Sequence, residues 1–287
     1  MEAVKKKPDA ELGAWLSIGV YLLLSALKLA VGYFANSKAL MADGLNNTTD
    51  IIASLAVLIG LRISKKPADA DHRYGHSRAE TVASMAASFI MFAVGIQVLM
   101  DAAGKLWQGD LQTPEMSAAI VAAISSAVMF AVYRINLKLA AKTGSHALKA
   151  TAADNKSDAF VSLGTVIGIL ASVWGLVWLD TFTAVIVALL ICKTGWDIFR
   201  EASHMLTDGF DVQELEKFKA TVAKLSGVEN VKDIKGRIYG KHIFLDLTIE
   251  VDQLMSVKES HAITEQIEEV LKKKHHIKHV LVHIEPH

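Results

Sequence analysis

Six runs of mostly apolar residues fill the first two-thirds of the chain, and a differently patterned segment follows. A helix that crosses a bilayer needs roughly 18–25 such residues. The runs fall at about 13–35, 38–62, 80–104, 115–138, 146–172 and 176–199. The second and fifth are interrupted near their starts by polar residues, Asn46-Asn47-Thr48-Thr49-Asp50 and Asp154-Asn155-Lys156-Ser157-Asp158. Hydropathy alone starts the fifth near Ala159. Ala147 to Ala153 is a good helix former without a breaker, so the helix is predicted to begin near 146 and to carry both aspartates into the span.

After Asp208-Gly209 the pattern becomes that of a small water-soluble domain. Val212 to Leu225 is amphipathic at helical spacing. Val228 to Gly236 and Ile243 to Val251 read as strands, with Tyr239-Gly240-Lys241 as the turn. Ser256 to Lys274 reads as a second helix and Ile277 to Ile284 as a last strand. The predicted fold is an α-helical membrane protein with six transmembrane helices and a C-terminal α+β domain of αββαβ order. Its expected organisation is an N-terminal tail at 1–12, a transmembrane domain at 13–208 and a cytosolic domain at 209–287. A core of that size is marginal alone and is often reinforced by metal or dimerisation.

Composition narrows the picture. The chain of 287 residues is 52% hydrophobic with zero formal net charge, which leaves no global basic patch for nucleic acid. One cysteine, Cys192, excludes an intrachain disulfide and a cysteine-based zinc site. The first apolar run is too long for a signal-peptide core and no small-residue cleavage site precedes it, so it counts as a span. Neither a nucleophile–base arrangement nor a phosphate-binding glycine loop is present, so neither an enzyme nor a catalytic cofactor is expected.

Basic residues orient the spans. Lys5, Lys6 and Lys7 lie in the tail. Arg62, Lys65, Lys66, Arg73 and Arg78 lie in the 2–3 loop. Arg134, Lys138, Lys142 and Lys149 flank the 4–5 loop, and Arg200 follows the last span. The opposite loops hold Lys38 and Lys105. Both termini are therefore expected in the cytosol, in a multi-pass protein of the cell membrane. The second and fifth helices then run antiparallel. Their polar pairs each lie about ten residues from opposite faces, near the midplane at 1.5 Å per residue.

That depth match assigns Asn46, Asp50, Asp154 and Asp158 to one site. Each pair is spaced i, i+4 and shares a helix face. A charge in hydrocarbon costs about 2.5–3.5 kcal/mol on insertion scales, so three acids there imply a role. The ligand set is all oxygen, which suits hard divalent ions such as Mn²⁺; imidazole favours zinc, copper and nickel. A polar network that merely locks the two helices together is the alternative. Lys156 points away from the aspartates and Lys28 lies in the first span; both read as snorkelling or structurally paired cations. Asp43 shares a face with Asn46 and either lines a vestibule or caps the helix.

Two further groups have metal-ligand character. Asp69, His72 and His76 in the 2–3 loop are spaced for a cytosolic metal site or are solvated. In the tail, His261, His283, Glu285 and His287 offer ligands, while His275 and His276 read as solvated surface in a lysine-rich turn.

With six spans, paired ligands on the second and fifth helices, and the loop Pro-Ala-Asp…His-Arg-Tyr-Gly-His-Ser-Arg-Ala-Glu, the chain resembles the cation diffusion facilitators, dimeric divalent-metal/proton antiporters. The resemblance covers nearly the whole chain and implies a ferredoxin-like, metallochaperone-like cytosolic domain. Asn-Asp with Asp-Asp is similar to the family's manganese branch, whereas zinc and iron members place Asp or His first on helix 2 and His first on helix 5. It further implies a loop site at Asp69, His72 and His76, a dimer salt bridge at Arg78 and Asp208, and cytosolic ligands at His261, His283 and Glu285. Two positions that are His in the family's cytosolic cluster are Lys232 and Thr248 here, which implies a partial or empty site. The expected activity is efflux of Mn²⁺ from the cytosol by proton antiport with alternating access, carried out by a homodimer. The same fold exporting Fe²⁺, Co²⁺ or Zn²⁺, and a membrane metal sensor that does not transport, are the alternatives.

Overall fold

The computed structural model describes residues 7–143, 146–240 and 242–287, so Lys5, Lys6 and Lys241 lie outside the described residues. Six long helices come first: α1 (Lys7–Phe34), α2 (Lys38–Ser64), α3 (Ala79–Gln108), α4 (Met116–Thr143), α5 (His146–Val173) and α6 (Trp178–Leu206). Each contains a stretch long and apolar enough to cross a membrane. Helix α1 begins at Lys7 rather than near 13, and α6 continues to Leu206 rather than 199. Hydropathy marks only the part suited to hydrocarbon, while backbone hydrogen bonding carries the helix into polar flanks. Pro8 sits in the first turn of α1, where its missing N–H costs nothing. Helix α5 runs unbroken through Asp154 and Asp158, as the early start predicts.

The chain divides into two compact units, Met1–Leu55 with Ala87–Asp197 and Ala56–Ala86 with Ile198–His287. In the first unit, α4 packs along α5, and α1 packs on both. Small residues make the interfaces: Ala35, Ala39, Ala118, Ala119 and Ala122 surround Leu40 and Ile169, while Ala42, Ala102 and Ala184 pack with Val187 and Ile191. Large side chains such as Leu23, Phe89, Ile120 and Ile167 face outward. That inversion suits a bilayer, where close backbone approach replaces the hydrophobic effect as the packing force. Gly95 shows how close: a Cβ there would meet Cys192 Sγ at 2.6 Å, so α3 and α6 touch only because glycine has no side chain.

The start of α2 is fixed with unusual care. Asn36 turns the chain in the left-handed region at φ 54°. Ser37 Oγ then accepts from the Leu40 amide at 3.1 Å and donates to Asp180 Oδ1 at 2.6 Å, and Asp180 Oδ2 accepts the Lys38 amide at 2.6 Å. A carboxylate from α6 thus caps α2 and fixes where that helix begins.

In the second unit, α7 (Val212–Val222), β1 (Asn230–Tyr239), β2 (His242–Val251), α8 (Val257–His275) and β3 (His279–Pro286) give the predicted αββαβ order. The sheet runs β1-β2-β3, with β1 antiparallel to β2 and β3 parallel to it, and α8 makes the crossover. Phe218, Val222, Leu245, Leu247, Ile249, Ile263, Ile267 and Leu271 form its core. Asp211 caps α7, and Ser256 with Glu259 makes a capping box on α8.

One expectation is corrected here. His275 is not solvated surface: it lies one turn beyond Leu271 on the buried face of α8, bonds Thr221 Oγ1 at 3.0 Å and packs edge-on to Phe218 at 4.9 Å. Partial burial pushes its pKa down. His276 is exposed and ends the helix in the left-handed conformation.

Candidate metal centre

Asn46 and Asp50 on α2 meet Asp158 on α5 inside the first unit. Asn46 Nδ2 donates to Asp158 Oδ1 at 3.2 Å and to Asp50 Oδ2 at 3.4 Å, so one carboxamide bridges two carboxylates on different helices. Asp158 is buried, Asn46 and Asp50 are partly buried, and Asp154 is exposed one turn toward the start of α5. The geometry therefore brings three of the four expected residues into one hydrogen-bonded group and leaves Asp154 outside it. Lys156 is exposed and faces away, with its Nζ about 6 Å from the rings of Tyr133 and Phe160.

Several supporting residues were not anticipated. Tyr21 on α1 donates its hydroxyl to Asp158 Oδ2. Asn155 Nδ2 donates to that phenol at 3.1 Å, and Asn155 Oδ1 accepts from Asn136 Nδ2 at 2.9 Å and from Ser17 Oγ at 3.2 Å. Every link joins α1, α4 or α5 to another of the three, so Asp158 is oriented by a network and not by its own helix alone. A second network lies in the same unit. Lys28 Nζ sits 2.9 Å from Asp43 Oδ1, both side chains fully buried, and donates to Asn47 Oδ1 at 2.7 Å and Ser162 Oγ at 2.9 Å. Asp43 thus pairs with a lysine instead of lining a vestibule or capping α2. A sequence signal existed: Ser17, Tyr21, Ser25 and Lys28 recur every three or four residues and mark one polar stripe on α1.

Among the described residues, one group of three His, Cys, Asp or Glu side chains presents an atom each within 4.8 Å: Asp69, His72 and His76. The Asp69 carboxylate accepts the His72 amide at 2.7 Å and faces His72 Nδ1 at 3.3 Å and His76 Nε2 at 3.5 Å. The His72 amide bond is the main reason its pKa lies below the usual carboxylate range. His76 Nδ1 faces the Pro67 carbonyl at 3.3 Å; donation there leaves Nε2 as the bare ligand nitrogen beside Asp69.

The tail residues do not converge within one chain. Val280, Val282 and Ile284 point into the core under the helices, so the alternating His283 and Glu285 lie on the opposite face of the sheet from α8, which carries His261. Glu285 is ion-paired with Lys232, one of the two residues standing where the family has His, and His261 lies 3.6 Å from Glu265. Arg78 and Asp208 do pair, here within a single chain, and Arg78 also lies 4.6 Å over the Tyr239 ring.

Residues 14–207 match the cation efflux transmembrane domain, and residues 210–287 match the cation efflux protein cytoplasmic domain. The chain belongs to the cation efflux, or cation diffusion facilitator, family. It is 54% identical over 286 residues to the manganese efflux system protein MneS of Bacillus subtilis, covering 100% of this chain and 99% of that one. It is 48% identical over 286 residues to the uncharacterized transporter YdbO of the same organism, again across 100% and 99% of the two chains. A third relative there, the manganese efflux system protein MneP, is 30% identical over 96% of this chain and 95% of its own. As a cation efflux protein the chain is a multi-pass membrane transporter of metal cations with a cytoplasmic C-terminal domain, in a family of transporters and not of enzymes.

Proposed function

We propose that this protein exports Mn²⁺ from the cytosol across the cell membrane in exchange for protons. The observation that carries the proposal is the ligand set itself: Asn46, Asp50, Asp154 and Asp158 supply oxygen and no imidazole. Mn²⁺ is the weakest binder of the first-row divalent series, so a site for it gains by lacking the nitrogen that favours its competitors. Two relatives named as manganese efflux proteins, at 54% and 30% identity, agree with that choice. The transport domain is taken as 13–208 and the cytosolic domain as 209–287, with both termini cytosolic and two chains forming a homodimer braced near the membrane by Arg78 and Asp208.

The mechanism follows from the groups present. The Asn46 amide nitrogen bridges Asp50 and Asp158. Arriving Mn²⁺ replaces that nitrogen: the carboxamide turns to offer Oδ1, and the two carboxylates close on the ion, with Asp154 as fourth ligand. Rocking of the helices about the site then opens it to the far side. There protons compete with the metal for the three carboxylates. Asn46 does not titrate, so proton coupling uses the acids alone.

The loop group Asp69, His72 and His76 is a second, nitrogen-containing divalent-metal site in this reading. The cytosolic ligands His261, His283 and Glu285 are at most a partial site, since the Lys232 ammonium already neutralises Glu285. Substituting Asp154→His tests the central assignment. Transport by the variant is expected to move from Mn²⁺ toward Zn²⁺ in a metal competition assay; undiminished preference for Mn²⁺ rejects the ligand assignment.

A further inference from the structure

One fully buried cation has no part in the mechanism above. The Lys28 ammonium sits among three oxygens, 2.9 Å from Asp43 Oδ1, 2.7 Å from Asn47 Oδ1 and 2.9 Å from Ser162 Oγ. Asp43, Asn47 and Ser162 are as completely buried as Lys28. Gly44 permits this close approach of α1 to α2, because a Cβ there would meet Lys28 Cβ at 3.0 Å.

The cage lies on the helix faces that carry the transport ligands. On α5, Ser162 is one turn past Asp158; on α2, Asp43 is one turn before Asn46; on α1, Lys28 is two turns past Tyr21, whose hydroxyl bonds Asp158. All three steps run toward the same end of the helices. There α1 ends and α2 begins, and Ser37 ties that turn to Asp180 at the start of α6, just after α5 ends. Helix α6 crosses away from this end, and the cytoplasmic domain follows it in the chain. The cage is thus the next polar layer beyond the ligands in the outward direction. In the opposite direction along α5 the next acid, Asp154, is exposed.

Two observations set the cage apart from a simple lock between helices. Among the described residues, Asp43 receives no hydrogen bond at either oxygen and Asn47 Nδ2 has no acceptor, so the ammonium leaves these buried groups incompletely satisfied. A lock also gains little from charge, since apolar side chains of similar volume often hold as well as a buried ion pair. Oxygen donors that include a carboxylate suit a hard divalent cation, and the ammonium stands where such an ion would sit.

We propose that Asp43, Asn47 and Ser162 form a second station for the departing divalent cation, one turn outward of the transport site, and that the tethered Lys28 ammonium holds it shut in this conformation. The station rests on the export reading given above. Ion and ammonium exclude each other from the cage, so Lys28 withdraws before metal passes. A single carboxylate then holds the ion weakly enough to let it leave.

The test uses the full-length protein in mild detergent, with Mn²⁺ alone as the probe in equilibrium dialysis. Lys28→Ala empties the cage, so Lys28→Ala/Asp158→Ala should bind about one more Mn²⁺ per chain than Asp158→Ala, and Mn²⁺ should raise its unfolding midpoint more. Lys28→Met/Asp43→Leu replaces the charged pair by apolar side chains. It should bind Mn²⁺ at the transport site like wild type yet lose most of its flux in vesicles. Ser162→Ala, a milder change, should slow flux without altering Mn²⁺ binding. No additional ion in the Lys28→Ala background, or a Lys28→Ala chain that Mn²⁺ fails to stabilise, would overturn the station. Wild-type flux in both cage variants would remove it from the path and leave a structural pair. Equal Mn²⁺ binding by wild type and Asp158→Ala would instead count against the transport site, and the effect of Lys28→Ala would still decide the cage.

Discussion

Lys28 and Asp43 form an ion pair with no exposure at all, and that makes a sharp prediction about stability. The ammonium donates to Asn47 and Ser162 and lies 2.9 Å from Asp43 Oδ1 as an ion-pair contact. Asp43 depends on the charge of Lys28 alone: among the described residues no group donates a hydrogen bond to either of its oxygens. Removing one partner of a buried pair strands the other charge and costs about 3–5 kcal/mol, whereas replacing both by apolar side chains is often close to neutral. Lys28→Met and Asp43→Leu should therefore each destabilise the protein by about 3–5 kcal/mol, while the double variant should recover most of that loss. Unfolding in mixed dodecyl maltoside and SDS micelles, followed by tryptophan fluorescence, reads all four corners of the cycle. Single losses that simply add in the double variant, to within about 0.5 kcal/mol, would show that the two side chains do not interact and would refute the pairing.

Three other outcomes follow from the same structure. Tyr21→Phe removes the hydroxyl that orients Asp158 and strands the Asn155 amide, so stability should fall by about 1–3 kcal/mol and the KM for metal should rise several-fold in vesicle transport; a silent variant would remove Tyr21 from the site. His275 has a lowered folded-state pKa, so the unfolded chain takes up the proton first; stability is full above the unfolded value of about 6.5 and is lost as pH falls through the lower folded value. Protection factors of α7 and α8, taken relative to intrinsic exchange at each pH, should therefore fall between neutral pH and about 5, and His275→Gln should flatten that change. Asp208→Asn removes a largely exposed salt bridge worth roughly 1 kcal/mol or less in stability, yet it should raise the monomer fraction in light scattering if the pair braces the dimer.

How much of this was legible in the chain depends on which physical signal carried it. The six spans and the αββαβ tail follow from apolar length and periodicity, and both appear within a few residues of the expected limits, apart from the longer outer ends of α1 and α6. The i, i+4 spacing also exposed Asn46, Asp50 and Asp158, because a charge in hydrocarbon is conspicuous. The partners of those residues were less visible. Tyr21, Asn136 and Asn155 are uncharged and common in any helix, and their role exists only once α1, α4 and α5 pack together. Lys28 and Asp43 were conspicuous as charges, but sequence spacing within one helix cannot pair residues on two. His275 was misjudged for a related reason. Its lysine-rich neighbours suggest a wet turn, while helical phase places it on the face that carries Leu271. The three residues expected to act as tail ligands show the converse: strand alternation and the sheet itself keep His261 apart from His283 and Glu285.

Metal flux into proteoliposomes under an imposed pH gradient tests the central claim most directly, comparing Mn²⁺ with Zn²⁺ for wild type and Asp158→Ala. The expected result is Mn²⁺ flux that exceeds Zn²⁺ flux, needs the gradient and disappears in the variant. Equal or greater Zn²⁺ flux would contradict the manganese assignment, flux indifferent to the gradient would contradict proton exchange, and no flux of either ion from a folded, metal-binding protein would contradict transport itself.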